Sequence, residues 1–324
     1  MKLKKALIQT TFAAIGLVAT MAHAQTVVLY SSNNTETIET ALDVVKKTAP
    51  NLKVQQVTGG TGSLMKRIQA EAKNPRGDVL WSGGFGTLGA YKDLLQPYKG
   101  PGLESIPPEF RGPNDLWVGT NVHVMVMMVN ERQLKGNAAP KTWSDLMKPE
   151  WKGKFAITDP SKSATAYMLV YGLLKQFGRE GLEKIAANAV ITASSGATYK
   201  GTATGEYPVG LTIEYAAQEY VAGGQKEIRL VYPSEGSYLA PEGMFIFKGA
   251  KNAEAAKAFY NVLMSKETQE ELLVKTFRRP TRTDVQVSKL TTLPDLKSIK
   301  IFPLDQSAAS AEYEQLVSLW NLAV

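Results

Sequence analysis

Short apolar runs alternate with amphipathic segments along most of the chain. Residues 26–30, 52–57 and 78–81 favour β-strands, and each run is followed by a polar or glycine-rich turn and then by apolar residues at helical spacing. Strands that alternate with helices in this order predict an α/β fold with a parallel sheet. The turns after such strands meet at one edge of the sheet, which is where open α/β sheets bind ligands.

The second half of the chain repeats this pattern. Residues 154–157, 190–193 and 207–213 read as strands, and residues 163–177 read as a helix whose apolar residues are spaced by three. The longest β-like run, residues 117–130, is interpreted as a strand that crosses from one lobe to the other. We therefore expect two lobes with a cleft between them, and such a cleft is the usual place for a small ligand.

The expected boundaries follow from the two crossings. Lobe 1 comprises residues 25–122 and about 242–290, and lobe 2 comprises residues 123–241. Residues 291–324 form a C-terminal helical segment that the pattern assigns to neither lobe.

Residues 1–24 have the composition of a secretory signal peptide. Basic residues at the start precede an apolar run over residues 12–22, and the segment ends in Ala22-His23-Ala24, which predicts cleavage before Gln25. The chain has no cysteine, so neither a lipid-anchor cysteine nor a disulfide is expected. The sequence thus predicts a protein that is exported to the periplasm.

Charge and residue types exclude several classes of function. The net charge of +7 falls to +4 once the three lysines of the leader are removed, and it gives no case for nucleic-acid binding. Only His123 remains as a histidine after residue 24, and no catalytic or metal-binding motif occurs. We predict neither a catalytic site nor a cofactor nor a bound metal, although a hydrolase that uses only carboxylates stays an alternative.

Small polar residues follow the predicted strands in both halves. The expected ligand contacts of the first half are Ser31, Ser32, Thr61, Ser82 and Gly83. Those of the second half are Thr158, Ser163, Ala164, Thr165, Ser195, Glu214 and Tyr215. Residues 163–165 stand where a helix begins, and the free backbone N–H groups and positive end of a helix can hold an anion. The alternative for Ser163 is an ordinary helix N-cap.

Four segments resemble one family of transport proteins. They are VVLYSSNNTE, TGGTGSLMKRIQAEAKNPRGDVLWSGG, ITDPSKSATAYMLVYGLL and GEYPVGLTIEYAA, within residues 26–280. They are similar to periplasmic solute-binding proteins of ABC importers, in the branch that binds ferric iron, hexose phosphates or aminoalkylphosphonates. The resemblance implies a type II fold, in which two lobes with central mixed sheets and flanking helices are joined by a two-strand hinge. It also implies an ABC permease as partner and a monomeric protein.

The resemblance also bears on the ligand. Iron-binding members have a His, a Glu and a Tyr-Tyr pair at positions where this chain has Asn34, Gly83 and Tyr215-Ala216. The serine-containing helix start that holds a phosphate anion in such proteins is similar to residues 163–165, and Ser195 falls near a further anion contact.

These matches and departures predict a binding protein for a small organophosphorus anion, either an aminoalkylphosphonate or a sugar phosphate. Glu214 is then available for an amine or a sugar hydroxyl, or is a structural carboxylate. The alternatives are ferric iron and a carboxylate or sulfonate on the same scaffold.

Overall fold

The computed structural model describes residues 25–324, so the predicted signal peptide lies outside the described residues. The strands are β1 (Gln25–Ser31), β2 (Leu52–Thr58), β3 (Val79–Gly84), β4 (Leu95–Gln96), β5 (Val118–Asn130), β6 (Phe155–Thr158), β7 (Ala189–Thr192), β8 (Val209–Ile213), β9 (Ile228–Val231), β10 (Leu239–Phe247) and β11 (Arg279–Pro280). The helices are α1 (Thr35–Thr48), α2 (Thr61–Ala70), α3 (Phe85–Ala90), α4 (Ala164–Asn188), α5 (Ser195–Thr204), α6 (Glu214–Ala222), α7 (Ala253–Leu263), α8 (Lys266–Thr276), α9 (Val287–Leu290), α10 (Gln306–Ala311) and α11 (Tyr313–Ala323). Short 3₁₀ turns fill much of the rest of the chain.

The strands form one sheet in the order β2-β1-β3-β10-β5-β8-β6-β7. In addition, β4 pairs with β10, and β9 and β11 pair with β5. The pairs β1/β2, β1/β3, β6/β7 and β6/β8 are parallel, whereas β10 and β5 pair antiparallel with their neighbours. Each half of the sheet is therefore mixed. The carboxyl ends of β1, β2 and β3 meet in one half, and those of β6, β7 and β8 meet in the other.

Two large hydrophobic cores lie on either side of the paired strands β5 and β10. The first packs α1, α2, α7 and α8 against β1, β3 and the end of β10. The second packs α4 against β6, β8 and the later part of β5. We call the parts around these cores lobe 1 and lobe 2. Strand β5 is 13 residues long because it serves both halves of the sheet, and with β10 it forms the hinge.

The C-terminal helices join lobe 2. Leu316 and Trp320 of α11 are each 1% exposed and belong to the second core. Helix α10 is tied to α4 by the hydroxyl of Tyr167, which donates to the backbone carbonyl of Ala309. Trp320 buries a large apolar surface, which explains why this segment packs on lobe 2 rather than extending into solvent.

Two local features differ from the expected pattern or refine it. Residues 195–204 form helix α5, although they carry no apolar periodicity, because Ser194 caps the helix start and Gly205 ends it with a φ of +86°. Helix α4 runs to Asn188 but is broken at Gly178, whose φ of +67° lies outside the helical region, so the helix expected over residues 163–177 ends directly before this break. No helix within residues 25–324 is long and apolar enough to cross a membrane.

Candidate functional site

Three hydroxyl groups of lobe 1 converge where its strands end. Thr61 Oγ1 donates to Ser32 Oγ at 3.0 Å and lies 2.9 Å from Ser82 Oγ, which in turn contacts Ser32 Oγ. The parallel pairing of β1 with β2 and β3 brings these three chain ends side by side. Gly83 has a φ of +83°, and an added Cβ would lie 3.2 Å from Thr61 Cγ2, so this turn requires glycine. We call Ser32, Thr61 and Ser82 the lobe 1 hydroxyl cluster. Ser82 is 0% exposed, so it positions the other two hydroxyls instead of meeting a ligand itself, which corrects our expectation.

A second pair of hydroxyls lies at the ends of the lobe 2 strands. Ser163 Oγ and Ser195 Oγ are 2.8 Å apart, and both side chains are partly exposed. Ser163 is the N-cap of α4 and accepts from the backbone N–H of Ala166 at 3.3 Å. Ser195 is the first residue of α5, whose cap is Ser194. We call Ser163 and Ser195 the lobe 2 serine pair.

The electrostatics of the lobe 2 serine pair favour an anion. Helices α4 and α5 both begin at this point, and neither has an acidic residue in its first turn. Each helix start carries about half a positive charge and unpaired backbone N–H groups, here including those of Ala164 and Thr165. Two such starts that meet at a pair of hydroxyls can bind a phosphate or phosphonate group without an added cation.

Ser31 and Thr158 serve internal hydrogen bonds rather than the cleft, which corrects our expectation. Ser31 is 1% exposed, and its hydroxyl donates to the carbonyl of Trp81 at 2.7 Å. Thr158 is 2% exposed, and its Oγ1 lies 2.7 Å from Thr198 Oγ1 and 3.2 Å from Thr192 Oγ1. Both residues hold neighbouring strands and helices together beneath the exposed hydroxyls, because alternate residues at a strand end point to opposite faces.

Glu214 is also corrected as a ligand contact. Its two carboxylate oxygens accept from Nε and Nη2 of Arg279 at 3.0 and 2.6 Å, and Tyr232 donates to the same carboxylate at 2.6 Å. The Arg279 and Glu214 side chains are 1% and 2% exposed. This bidentate pair joins the start of α6 to β11. Glu214 is therefore a structural carboxylate, and it is not available for an amine or a sugar hydroxyl of the ligand.

Tyr215 lies in a buried polar group between the lobes. Arg278 Nη2 donates to its hydroxyl at 3.4 Å, and the guanidinium carbon lies 4.4 Å from the centre of the ring. Arg278 also donates to Glu242 at 3.1 Å and to Thr37 at 3.0 Å, and its Nη1 lies 3.4 Å from His123 Nε2. We call His123, Tyr215, Glu242 and Arg278 the interlobe polar cluster. It connects both hinge strands to α1 of lobe 1 and to α6 of lobe 2.

Burial sets the protonation of this cluster. Burial and the neighbouring Arg278 lower the pKa of His123 to about 3, so the imidazole is neutral. Burial raises the pKa of the Glu242 carboxyl, although Arg278 opposes the effect. Burial likewise raises the pKa of Tyr215, again against Arg278. Arg278 supplies the positive charge that opposes both of these upward shifts in pKa.

One tyrosine lies beside the lobe 2 serine pair. The hydroxyl of Tyr199, on α5, would lie 3.5 Å from a Cβ placed on Gly196, next to Ser195. Its ring centre is 6.2 Å from that of Tyr220. Burial and then the negative charge of Glu219 raise the pKa of Tyr199, against a smaller opposing effect of Arg278. The sequence pattern did not select Tyr199, since residues 198–205 read only as a polar segment.

A concavity of about 450 Å³ lies elsewhere, at the opposite edge of lobe 1. Glu71, Lys73, Asp93, Phe247 and Lys251 contribute to its wall. It contains none of the hydroxyl groups described above, so pocket size alone does not identify the site.

The comparisons with known proteins decide the family. The family model of bacterial extracellular solute-binding proteins matches residues 78–308. The chain belongs to this family. Solute-binding proteins of this kind are periplasmic, non-enzymatic components that deliver small ligands to ABC permeases. The expected transport role, rather than the alternative of a hydrolase, is therefore confirmed.

Solved structures confirm the type II fold. The periplasmic binding protein AfuA of Actinobacillus pleuropneumoniae, solved with fructose 6-phosphate bound, is 27% identical and superposes with a TM-score of 0.81, covering 91% of this chain and 97% of that one. Two sequence relatives carry different ligand names. A candidate 2-aminoethylphosphonate-binding periplasmic protein of Salmonella paratyphi A is 27% identical over 262 residues, or 74% of this chain and 73% of that protein. Iron uptake protein A2 of Synechocystis is also 27% identical, over 275 residues, 76% of this chain and 75% of that protein.

Proposed function

We propose that this solute-binding protein captures a small organophosphorus anion, either an aminoalkylphosphonate or a sugar phosphate, by closure of its two lobes. The observation that carries the proposal is the meeting of two helix starts, free of acidic residues, at the lobe 2 serine pair. A phosphate or phosphonate group binds there to the hydroxyls and to the backbone N–H groups of Ala164 and Thr165.

The organic part of the ligand then faces lobe 1. The lobe 1 hydroxyl cluster offers the hydroxyls of Ser32 and Thr61, which both donate and accept hydrogen bonds, and the buried Ser82 holds them in place. Contacts from both lobes stabilise the closed form by the affinity that they add to it. A relative named for an aminoalkylphosphonate and a neighbour with a bound sugar phosphate both support this ligand class.

A panel of candidate ligands tests the proposal by thermal shift and calorimetry on ligand-stripped protein. The panel contains 2-aminoethylphosphonate, fructose 6-phosphate, glucose 6-phosphate, inorganic phosphate, a sulfonate, a dicarboxylate and ferric citrate. A ligand at about a hundred times its Kd adds about 2.7 kcal/mol of stability, which raises Tm measurably. Shifts with only the sulfonate, the dicarboxylate or ferric citrate would contradict the proposal.

The variant Ser163→Ala is expected to weaken binding of the organophosphorus ligand by about 10- to 100-fold, because a hydrogen bond to a charged group is worth about 1.5–3 kcal/mol. Its lost helix cap also costs about 1 kcal/mol of stability. The matched control is Ser265→Ala, which removes the N-cap of α8, where Ser265 Oγ accepts from the N–H of Thr268 at 3.2 Å. Ser265→Ala should lose a similar amount of stability but keep its affinity for the organophosphorus ligand. Equal affinities of Ser163→Ala and Ser265→Ala for that ligand would argue against binding at the lobe 2 serine pair.

A further inference from the structure

The guanidinium of Arg278 occupies a space that three metal-binding types of side chain surround. His123 Nε2 and Glu242 Oε2 lie 3.4 and 3.1 Å from its Nη1, and the hydroxyl of Tyr215 lies 3.4 Å from its Nη2. The imidazole nitrogen and the carboxylate oxygen are 3.9 Å apart. Arg278 and Glu242 are 4% and 8% exposed, so the arrangement is shielded from water.

Imidazole, carboxylate and phenolate are donors that proteins use for transition metals, and phenolate and carboxylate oxygens suit ferric iron. The Nε2 atom of His123 faces the guanidinium of Arg278. Within residues 25–324 no group of three or more His, Cys, Asp and Glu side chains is placed to hold a metal. The third donor here is the phenol of Tyr215, a residue type outside that set.

We propose that Arg278 is a built-in cation that fills this latent metal cage and thereby makes the cleft select an organic anion over a ferric ion. The inference rests on the proposed function, since it explains how a member of this family binds its anion directly. Arg278 acts here as a specificity-determining residue.

The contacts of Arg278 explain why a metal ion does not displace it. Its Nε is anchored by Thr37 at 3.0 Å, and its guanidinium lies over the ring of Tyr215 at 4.4 Å. The fixed positive charge repels a second cation at the same place and already balances Glu242. A metal would have to remove a guanidinium held by four side chains, and Tyr215 would have to release its proton to solvent.

The experiment replaces the cation and asks whether a metal takes its position. Wild-type protein and the variant Arg278→Ala are titrated with ferric nitrilotriacetate, and the visible tyrosinate-to-iron charge-transfer band is recorded. We expect no band in the wild type and a band in the variant, together with a rise in its Tm on adding ferric ion. The band should disappear in Arg278→Ala combined with Tyr215→Phe.

Two controls separate the charge from the position. Arg278→Lys keeps the cation and should stay free of the band, and Arg282→Ala removes a nearby arginine that pairs with Asp284, outside the cage. Guanidinium chloride at millimolar concentration should refill the space in Arg278→Ala and suppress the band. If Arg278→Ala folds poorly, the variant is first refolded with added guanidinium, and circular dichroism checks that the fold is restored. The ferric titration is then started as the guanidinium is removed.

A band in the wild type would overturn the inference, and so would a folded Arg278→Ala variant that binds no ferric ion. Either result leaves the organophosphorus proposal to be judged by its own ligand panel. Conversely, the wild type could bind no organophosphorus compound while Arg278→Ala shows the charge-transfer band. That result would contradict the proposed ligand class and support the latent metal cage.

Discussion

At the scale of single residues, the neighbours of a charged group decide its role. Glu214 follows a strand end in the same way as the serines that we propose bind the ligand, yet it is fully engaged by Arg279 and Tyr232. A buried carboxylate is tolerated only when it is paired and hydrogen-bonded. The pair fixes α6 beside β11, and it therefore supports the hinge region rather than the ligand.

Removing one partner of this pair is expected to be costly. Arg279→Ala leaves the Glu214 charge buried without its partner, which should lower the free energy of unfolding by about 3–5 kcal/mol. Urea denaturation followed by circular dichroism measures the loss. The control Glu180→Ala removes an exposed partner of Lys184 and should cause no measurable change. The double variant Glu214→Leu with Arg279→Met should recover most of the lost stability. The prediction would be contradicted if Arg279→Ala lost no more stability than the control Glu180→Ala.

At the scale of elements, the last helix of the chain is part of the lobe 2 core. The indole of Trp320 is among the largest fully buried side chains, and Leu316 lies one turn before it on the same helix face. Lys175 of α4 pairs with Glu312 at 2.7 Å at the start of this segment. The apolar contacts rather than this partly exposed ion pair hold α11 in place.

Trp320→Ala is expected to cost about 3–5 kcal/mol, because it removes a large buried side chain and leaves a cavity. The control Leu322→Ala lies two residues away on the same helix, where the side chain is 79% exposed, and should be nearly neutral. The midpoint of urea unfolding compares the two variants. Equal midpoints would show that α11 does not contribute to the second core.

At the scale of the whole molecule, charges from both lobes meet beside the hinge. Glu219 lies on α6 of lobe 2, and burial and then the negative charge of Glu36, on α1 of lobe 1, raise its pKa to about 7, against a smaller opposing effect of Arg278. The folded protein thus holds a proton that the unfolded chain releases near pH 4.5. Stability contributed by the protonated form is present below that value and is lost as the pH rises to about 7.

The variant Glu219→Gln should remove the loss of stability that the wild type shows as the pH rises. We expect the free energy of unfolding of the wild type to fall between pH 5 and pH 8 by about 1 kcal/mol more than that of the variant, a modest amount because water still reaches part of the side chain. Glu180→Gln is the control. Lys184 lowers the pKa of the Glu180 carboxyl, so its replacement leaves the fall in stability above pH 5 in place. Identical pH profiles for the wild type and Glu219→Gln would contradict the prediction.

The sequence by itself determined the features that depend on near neighbours. The periodicity of apolar residues located strands and helices, and the long run at 117–130 indicated the hinge strand that the structure shows as Val118–Asn130. The hydroxyl residues of the lobe 1 cluster and the lobe 2 serine pair were found because they stand between a strand and a helix, and helix capping acts over only three or four residues.

Only the tertiary structure decided which polar residues face the cleft and which partner each charge meets. Arg278 contacts Thr37, His123, Tyr215 and Glu242, which are 241, 155, 63 and 36 residues away along the chain. Ser31 and Ser32 have the same local pattern, and the pleat of the strand alone turns one inward and the other outward. Such contacts depend on the order of strands in the sheet, and residue periodicity does not encode that order.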